Sequence, residues 1–158
     1  MSFDPAHNKQ IALAVSRSIL QGDWSALDTL LDDSFTYTGD GFVFSKDQYI
    51  GFMQDMKAAM DNMNMEFPQV LADGDLVSIR FVTTAKNTGA FMGAPASKKN
   101  VTVHGIFIRK IQGSKVMQEW QTTDLLGLMT QMGFGALFGY AIGVGLFKAK
   151  PKLPVRKR

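Results

Sequence analysis

The sequence predicts an α+β domain in which a curved antiparallel sheet wraps around N-terminal helices. Up to Asp61, apolar residues recur mostly at helical spacing; beyond it, β-branched and aromatic runs alternate with tight turns. A short apolar segment of helical character follows the last of these runs. Helices first and neighbouring strands afterwards is the order typical of an α+β fold. The 158 residues, 46% of them apolar, suit one domain with one core.

Three helices are predicted in the N-terminal half. Asp4-Pro5 is typical of an N-cap followed by proline in the first helical position, and Gly22 can end this helix in a left-handed conformation. A second, short helix is expected over about Trp24 to Leu31. Ser45-Lys46-Asp47-Gln48 is a capping box, which indicates the start of a third helix. The apolar side of that helix carries Tyr49, Phe52, Met53, Met56 and Met60.

The strand-like runs begin with Phe35 to Thr38, which a Gly39-Asp40-Gly41 turn follows. Further turns at Asp73-Gly74-Asp75 and Gln112-Gly113-Ser114 join neighbouring strands in the second half. Four antiparallel strands are predicted there, over Met65 to Leu71, Leu76 to Lys86, Val101 to Ile111 and Val116 to Thr123.

Composition excludes several kinds of site. The chain has no cysteine, so disulfides, thiolate metal sites and cysteine nucleophiles are excluded, and with only two histidines we expect no metal site. Residues 1–147 carry 11 basic and 14 acidic side chains, a net charge of −3, while the last eleven residues carry six basic ones. An acidic body argues against nucleic-acid binding. The polar residues 1–10 do not resemble a secretory signal, so we expect a cytoplasmic protein, with membrane association left open.

Four motifs between Gly89 and Gly133 point to a known family. They are GAFMGAPAS before a hairpin, HGIFIRKI and GSKVMQEW on its two strands, and TTDLLGLMTQMG after it. In this order they resemble the C-terminal half of the SnoaL-like polyketide cyclases, in the nuclear transport factor 2-like superfamily with its cystatin-like cone. The resemblance implies a conical apolar pocket, a homodimer through the convex sheet face, and an aldol closure without metal or organic cofactor. It also implies an acid/base aspartate on the last strand.

The resemblance places that acid/base position at Gln121, which cannot exchange a proton at neutral pH. Strand alternation puts Met117, Glu119, Gln121 and Thr123 on one side. Glu119 is the only carboxylate there, so we predict it as the general base and Gln121 as a hydrogen-bonding group that orients a substrate carbonyl. The alternative is a structural Glu119, solvated at the rim or paired with Arg80 or Arg109.

Further residues are assigned to the pocket or excluded from it. Tyr37 and Tyr49 can each present a hydroxyl to an oxyanion, or be core residues with a bonded tip. His104 is expected on the convex face and Asp124 as the N-cap of the last helix. The predicted pocket lining is Trp24, Tyr49, Phe52, Met56, Phe81, Asn87, Phe91, Met92 and Phe107, with Asn87 where relatives often carry a histidine.

The C-terminal part of the chain is predicted to contain two regions beyond the cone domain. Leu125 to Phe147 holds 23 consecutive uncharged residues, and basic residues follow. We therefore predict a cone domain over 1–133, an apolar glycine-rich extension over 134–147 and a basic tail over 148–158. The extension is too short to span a bilayer by itself. Residues 134–158, the extension with its basic tail, are expected to lie at an anionic membrane surface; alternatively, the extension packs across a dimer or over the pocket mouth.

Two functions are compatible with these observations. The first is a cyclase or isomerase that acts on an apolar carbonyl substrate by proton abstraction, without a cofactor. The alternative is a non-catalytic module that binds a hydrophobic ligand and associates peripherally with a membrane. Epoxide hydrolysis on the same fold is a third possibility, but the sequence does not supply its carboxylate network.

Overall fold

The computed structural model describes residues 4–133, 135, 138, 142 and 154–157. Within them the chain forms four helices and six strands, in the predicted order with one strand added. The elements are α1 (Pro5–Gln21), α2 (Trp24–Leu30), β1 (Leu31–Gly39), β2 (Phe42–Ser45), α3 (Lys46–Ala59), β3 (Met60–Asp73), β4 (Leu76–Asn87), β5 (Asn100–Gln112), β6 (Lys115–Thr123) and α4 (Leu125–Met132). The predicted α+β class is confirmed.

Local capping signals fix the helix ends. Asp4 Oδ1 accepts hydrogen bonds from the backbone N–H groups of Ala6 and His7, and Gly22 ends α1 with a φ of 71°. The Gln48 side chain accepts a hydrogen bond from the Ser45 backbone N–H, as a capping box requires. Met60, which the helical spacing assigns to α3, instead begins β3. The α3 pattern therefore ends one residue before the last methionine of its apolar side.

The sheet has six strands in the order β2-β1-β6-β5-β4-β3. Neighbouring strands are antiparallel except β1 and β6, which run parallel, so the predicted antiparallel sheet is a mixed one. This parallel pair joins two strands that are far apart in the sequence, because β1 enters the sheet beside the last strand, β6. This pairing aligns Tyr37 with Glu119 and Gly39 with Gln121, and it brings the N-terminal hairpin to the end of β6.

Strand β2 is absent from the sequence prediction, although its turn is present there. Asp40 and Gly41, with φ values of 52° and 85°, form the two-residue connection between β1 and β2. An Asp-Gly pair with both φ values positive is typical of a type I′ hairpin turn. The following run, Phe42–Ser45, is only four residues long and leads directly into α3, so it lacks a pattern of its own.

The main core lies between the helices and the concave face of the sheet. It includes Val15 of α1, Leu27 of α2, Tyr49 of α3 and Ile79 of β4, all fully buried. A second apolar cluster around Leu128, Met129 and Met132 packs α4 against the other end of the sheet. The helices therefore close one face of the curved sheet and leave the convex face uncovered by the described part of the chain.

Exposed apolar residues mark that convex face. Ile106 and Ile108 on β5 are 48% and 37% exposed, and Trp120, which pairs with Ile108 across β6, is 36% exposed. His104 belongs to the same alternation class and is also exposed, as the sequence predicts. Val116 departs from the pattern: a register shift at Lys110/Ile111 turns it inward, where it is fully buried.

The predicted extension over 134–147 lies outside the described residues except for Gly135, Phe138 and Ile142, and the basic tail except for 154–157. Among the residues that the structure describes, no helix is both long enough and apolar enough to cross a membrane. The assignments of these two segments stay predictions.

Candidate functional site

An apolar cavity of about 110 Å³ lies between α3 and the concave face of the sheet. Its apolar lining consists of Ile19, Phe52, Met53, Met56, Met60, Met63, Met65, Phe81, Ala85, Phe91, Met92, Val101, Val103, Phe107, Leu125 and Leu128. Its polar lining consists of Ser16, Asp40, Tyr49, Thr83, Arg109, Gln121 and Thr123. A mostly apolar pocket with a few convergent polar groups is the usual form of a small-molecule site.

Three parts of the fold supply the phenylalanine rings of the wall. The inner side of α3 supplies Phe52 and Met56, the concave sheet face supplies Phe81 and Phe107, and the loop after β4 supplies Phe91 with its neighbour Met92. In that loop Phe91 and Ala94 exchange both backbone hydrogen bonds, which closes a tight turn. The Phe91 ring packs on Phe52 with 5.6 Å between ring centroids, so the loop is fixed against α3.

Asp40 is the carboxylate that reaches this cavity. Its Oδ1 accepts a 2.8 Å hydrogen bond from the Thr123 backbone N–H, and its Oδ2 lies 3.5 Å from Gln121 Nε2. Gln121 Nε2 also donates to the Thr123 hydroxyl at 2.8 Å. Asp40, Gln121 and Thr123 thus form one polar corner in an apolar chamber, and the carboxylate orientation is fixed by a backbone donor.

Gly39 allows this corner to form. An ideal Cβ at position 39 would lie 2.4 Å from the backbone oxygen of Gln121 and 2.8 Å from the Tyr37 hydroxyl. No side chain fits in that gap, so only glycine lets β1 pass this close to β6. The close approach then delivers the next residue, Asp40, to the end of β6.

Glu119 occupies a different position, below the cavity lining. It is fully buried and its Oε2 accepts from Arg109 Nε at 2.5 Å. The Tyr49 hydroxyl donates to both carboxylate oxygens, at 3.2 and 3.3 Å. Arg109 also donates to the Ala12 carbonyl oxygen and to the Ser16 hydroxyl, so β5, β6, α1 and α3 meet in one network.

Burial and nearby carboxylates keep Tyr49 of this network, and the neighbouring Tyr37, protonated. Burial, and then the Glu119 carboxylate, raise the pKa of Tyr49 well above its ordinary value. Burial also raises the pKa of Tyr37, with smaller contributions from the Asp40 and Glu119 carboxylates. Both hydroxyls are therefore hydrogen-bond donors at any physiological pH. Tyr37 itself lies behind the cavity lining, stacked on Phe44 with 5.5 Å between ring centroids.

A second polar point lies on β4. Thr83 is one of the residues that line the cavity, and its hydroxyl is the one buried side-chain polar atom without a hydrogen-bond partner in the described part of the chain. A buried hydroxyl without a partner costs roughly 1–3 kcal/mol. A ligand with a polar group at this point would remove that cost.

The structure brings most of the predicted pocket residues together. Seven of the nine line the cavity: Tyr49, Phe52, Met56, Phe81, Phe91, Met92 and Phe107. Trp24 does not line the cavity: it packs, partly buried, against the main core, because α2 contacts α1, α3 and strands β1 and β6. Asn87 is fully buried, and its amide binds the backbone of Ala59, Gly89 and Ser97, where it holds the loop after β4.

Of the three predicted catalytic residues, Gln121 lines the cavity, while Glu119 and Tyr37 lie behind its wall. The geometry of Glu119 matches the alternative of an ion pair with Arg109. Its role as a general base stays a prediction. Asp124 caps α4 by accepting a hydrogen bond from the Gly127 backbone N–H, as expected.

Sequence reasoning missed Asp40, Arg109 and Thr83 as cavity residues. Asp40 carries the signal of a hairpin turn, which by itself explains an aspartate at that position. Its proximity to Gln121 depends on the parallel pairing of β1 with β6, across about half the chain. The alternation of β5 does place Arg109 inward with Phe107, so that signal was present in the sequence.

The described residues contain no group of three or more histidine, aspartate or glutamate side chains that could hold a metal ion. The Arg109–Glu119 pair and the Asp40 corner are the charged groups of the site.

One family model matches the chain over residues 9–132, that of the SnoaL-like polyketide cyclases. None of the curated proteins compared with the chain matches it.

Solved structures with the same fold carry several different descriptions. A candidate SnoaL-like polyketide cyclase from Jannaschia sp. CCS1 has a TM-score of 0.77 at 19% identity, and the match covers 85% of this chain and 98% of that one. AclR from Streptomyces galilaeus, a candidate hydroxylase, has a TM-score of 0.74 at 19% identity, with 82% and 97% covered. An epoxide hydrolase of the LEH-like type from M. tuberculosis has a TM-score of 0.65 at 13% identity, with 89% and 96% covered. At these identities the likeness shows the fold alone.

Proposed function

We propose that this chain, which belongs to the SnoaL-like polyketide cyclase family, is a cyclase-type enzyme that acts on an apolar carbonyl compound with Asp40 as its general base. One observation carries the proposal: the Asp40 carboxylate lines an apolar cavity and lies 3.5 Å from Gln121, the position at which the family resemblance places the acid/base group. A base must first lie within reach of the proton that it takes, and Asp40 meets that condition better than Glu119.

The proposed reaction returns every proton that it takes. Asp40 removes a proton from the carbon next to a substrate carbonyl, and the carbon–hydrogen electron pair becomes an enolate. The enolate carbon attacks a second carbonyl of the same molecule, which forms a carbon–carbon bond and an alkoxide. The alkoxide then takes the proton back from Asp40, so the sum is an isomerisation by ring closure that needs no further reactant.

The polar lining supplies donors for the developing negative charge. Gln121 Nε2 lies beside Asp40, and Arg109 and Thr83 are among the polar residues that line the same chamber. Donors fixed in an apolar site stabilise an oxyanion more than water does, because they need no reorganisation during the reaction. Gln121 therefore keeps the orienting role that the sequence suggests, and the proton transfer passes to its neighbour Asp40.

The cavity size limits the substrate. A cavity of about 150 Å³ in another protein holds a benzene molecule. The 110 Å³ present here accepts a group of about one ring, so we expect the reacting end of the substrate to enter and any larger remainder to stay outside. The many methionines of the lining adapt easily to different apolar shapes.

The second candidate is a binding module for a hydrophobic ligand, with no chemistry. The pairing of Glu119 with Arg109 favours it, because this pairing neutralises the only carboxylate on β6 inside the protein. The amide of Gln121 also favours it, because an amide cannot exchange a proton at neutral pH. In this case Asp40 would serve as the turn residue of the β1–β2 hairpin and as a hydrogen-bond acceptor.

Ligand capture followed by proton exchange separates the two functions. The full chain, purified gently, would be examined by native mass spectrometry for a bound compound, then mixed in D₂O with that compound and with a panel of apolar ketones and β-diketones. An enzyme exchanges the α-protons of a captured carbonyl compound faster than buffer does, as NMR would show. Capture without exchange supports the binding module. If the chain captures no compound and catalyses no exchange, both functions are contradicted.

We also propose that two copies associate through the convex sheet face. Ile106, Ile108 and Trp120 are neighbours on β5 and β6, and a cluster of exposed apolar side chains at the centre of a sheet marks an interaction surface. The exposed His104 lies on the same face.

A further inference from the structure

Residues 155–157, which are called the segment in the following paragraphs, lie along the outer side of α3. Lys157 exchanges two backbone hydrogen bonds with one side chain there: its N–H donates to Gln54 Oε1 at 2.7 Å, and its carbonyl oxygen accepts from Gln54 Nε2 at 2.9 Å. An amide side chain that pairs with both groups of one residue acts like a neighbouring strand. This contact recognises the peptide backbone whatever its side chains are.

Acidic side chains on both sides of Gln54 select the charge of the segment. Arg156 Nη1 lies 3.0 Å from Asp28 Oδ1 and 3.3 Å from Asp47 Oδ1, and Lys157 Nζ lies 2.6 Å from Asp55 Oδ1. Successive side chains of an extended chain point in opposite directions. Carboxylates lie at both positions: Asp28 and Asp47 at position 156, and Asp55 at position 157. The groove therefore favours two consecutive basic residues.

Gly51 provides the floor on which the segment rests. A Cβ at this position would lie 2.6 Å from the carbonyl carbon of Val155 and 2.7 Å from the backbone nitrogen of Arg156. Glycine in a helix interior is less favourable than alanine. Its presence in α3, where the helix meets the segment, is explained by this backbone contact.

We propose that Asp28, Asp47, Gly51, Gln54 and Asp55 form a recognition groove for an extended basic peptide, and that the chain's own residues 155–157 occupy it as an intramolecular clamp on α3. The inner side of the same helix carries Tyr49, Phe52, Met53 and Met56 into the cavity. The clamp therefore holds the cavity wall from outside. This inference stands whether the cavity performs catalysis or only binding.

Chain length favours the molecule's own residues 155–157 as the occupant of the groove. Twenty-two residues, 133–154, lie between the end of α4 and residues 155–157. At about 3.3 Å per residue, a chain of this length spans at most roughly 70 Å, more than the distance on the order of 35 Å across a domain of this size. A tethered segment has an effective concentration near the millimolar range, far above that of a second copy in dilute solution. Docking within one molecule is thus favoured over exchange between two.

Digestion of the full chain with carboxypeptidase B, which removes C-terminal lysine and arginine, tests the clamp by intact mass. We expect rapid loss of Arg158 and slow loss of Lys157 and Arg156. Gly51→Ala and Asp47→Asn should each accelerate the slow phase by roughly tenfold or more, because they remove the floor or a charge partner. Asp73→Asn, an exposed acid on β3, is the matched control and should not change the rate.

Three results would overturn the proposal. If all three residues are lost at one fast rate in the unaltered chain, the groove is not occupied. If Gly51→Ala raises the melting temperature and leaves digestion unchanged, helix propensity alone governs position 51. If protection rises with protein concentration over an about hundredfold range, or disappears only with vesicles that contain phosphatidylserine, the occupant is a partner copy or the segment prefers an anionic membrane.

Discussion

Arg109 and Glu119 face each other across β5 and β6 and form a buried ion pair with 2.5 Å between Nε and Oε2. Neither side chain is more than 2% exposed. Two charges removed from water are stable only with good geometry and further hydrogen bonds, and Tyr49, Ala12 and Ser16 supply these. This pair connects the sheet to α1 and α3, and it also engages the carboxylate that the sequence nominates as the base.

Removal of one partner should therefore destabilise the fold more than removal of both. Arg109→Met leaves Glu119 buried without compensation, and we expect it to lower the free energy of unfolding by about 3–5 kcal/mol. The double variant Arg109→Met with Glu119→Leu should regain much of this loss. Urea unfolding followed by circular dichroism measures both. Equal destabilisation by the single and double variants would contradict the idea of a compensated pair.

Thr83→Val should act in opposite directions on stability and on ligand affinity. Valine has nearly the shape of threonine but lacks the unpartnered hydroxyl, so the unfolding free energy should rise by roughly 1 kcal/mol. If a ligand donates to or accepts from that hydroxyl, its affinity should fall by about tenfold. Thr122→Val, at an exposed position, is the control. A variant with unchanged stability and affinity would show that Thr83 contacts no ligand.

The convex face should be sensitive to charge. Ile108→Lys places a charge at the centre of the apolar patch, and we expect the chain to shift from dimer to monomer in sedimentation velocity. Val43→Lys, at another exposed apolar residue, should leave the dimer intact. A monomeric unaltered chain would remove the proposed interface altogether.

The Asp28 contact gives the clamp a pH dependence. Burial raises the pKa of the Asp28 carboxyl, but hydrogen bonds from Lys46 and Arg156 outweigh burial and hold the pKa below its ordinary value of 3.8. A depressed pKa stabilises the folded state above 3.8 and loses this effect as the pH falls through the folded value. The same two cations have one further acidic partner each: Lys46 also pairs with Asp33, and Arg156 also pairs with Asp47.

We therefore expect Asp28→Asn to lower the melting temperature at neutral pH and to have little effect in acid. Thermal scans of both proteins from neutral pH to below 3.8 would measure the difference. A difference that persists unchanged in acid would mean that charge plays no part in the Asp28 contacts.

Local signals predicted the elements, and non-local pairing decided the site. Each helix-end signal consists of residues that are close in the sequence, so α1 and α3 could be located from the sequence. These signals are the Asp4 cap, the Gly22 stop and the Ser45–Gln48 capping box. The lining on α3 and β5 followed from periodicity for the same reason. Asp40 could not be found in this way, because only the parallel pairing of β1 with β6 brings it to Gln121.

Two smaller differences between the sequence prediction and the structure also result from contacts between distant parts of the chain. The register shift at Lys110/Ile111 reverses the alternation at the start of β6, so Val116 is buried although its class faces outward. The docking of residues 155–157 on α3 joins positions about a hundred residues apart, and a basic tail by itself points equally to a membrane. In each case the deciding contact is between segments that are distant in the chain.

The role of Asp40 as the base can be measured by α-proton exchange of a captured carbonyl compound in the unaltered chain and in matched variants. We predict that Asp40→Asn lowers the exchange rate by about 100-fold or more while binding persists, and that Glu119→Gln loses mainly stability. Asp73→Asn should match the unaltered chain in rate. Full exchange by Asp40→Asn, together with none by a folded Glu119→Gln, would show that Asp40 is not the base and would return that role to Glu119.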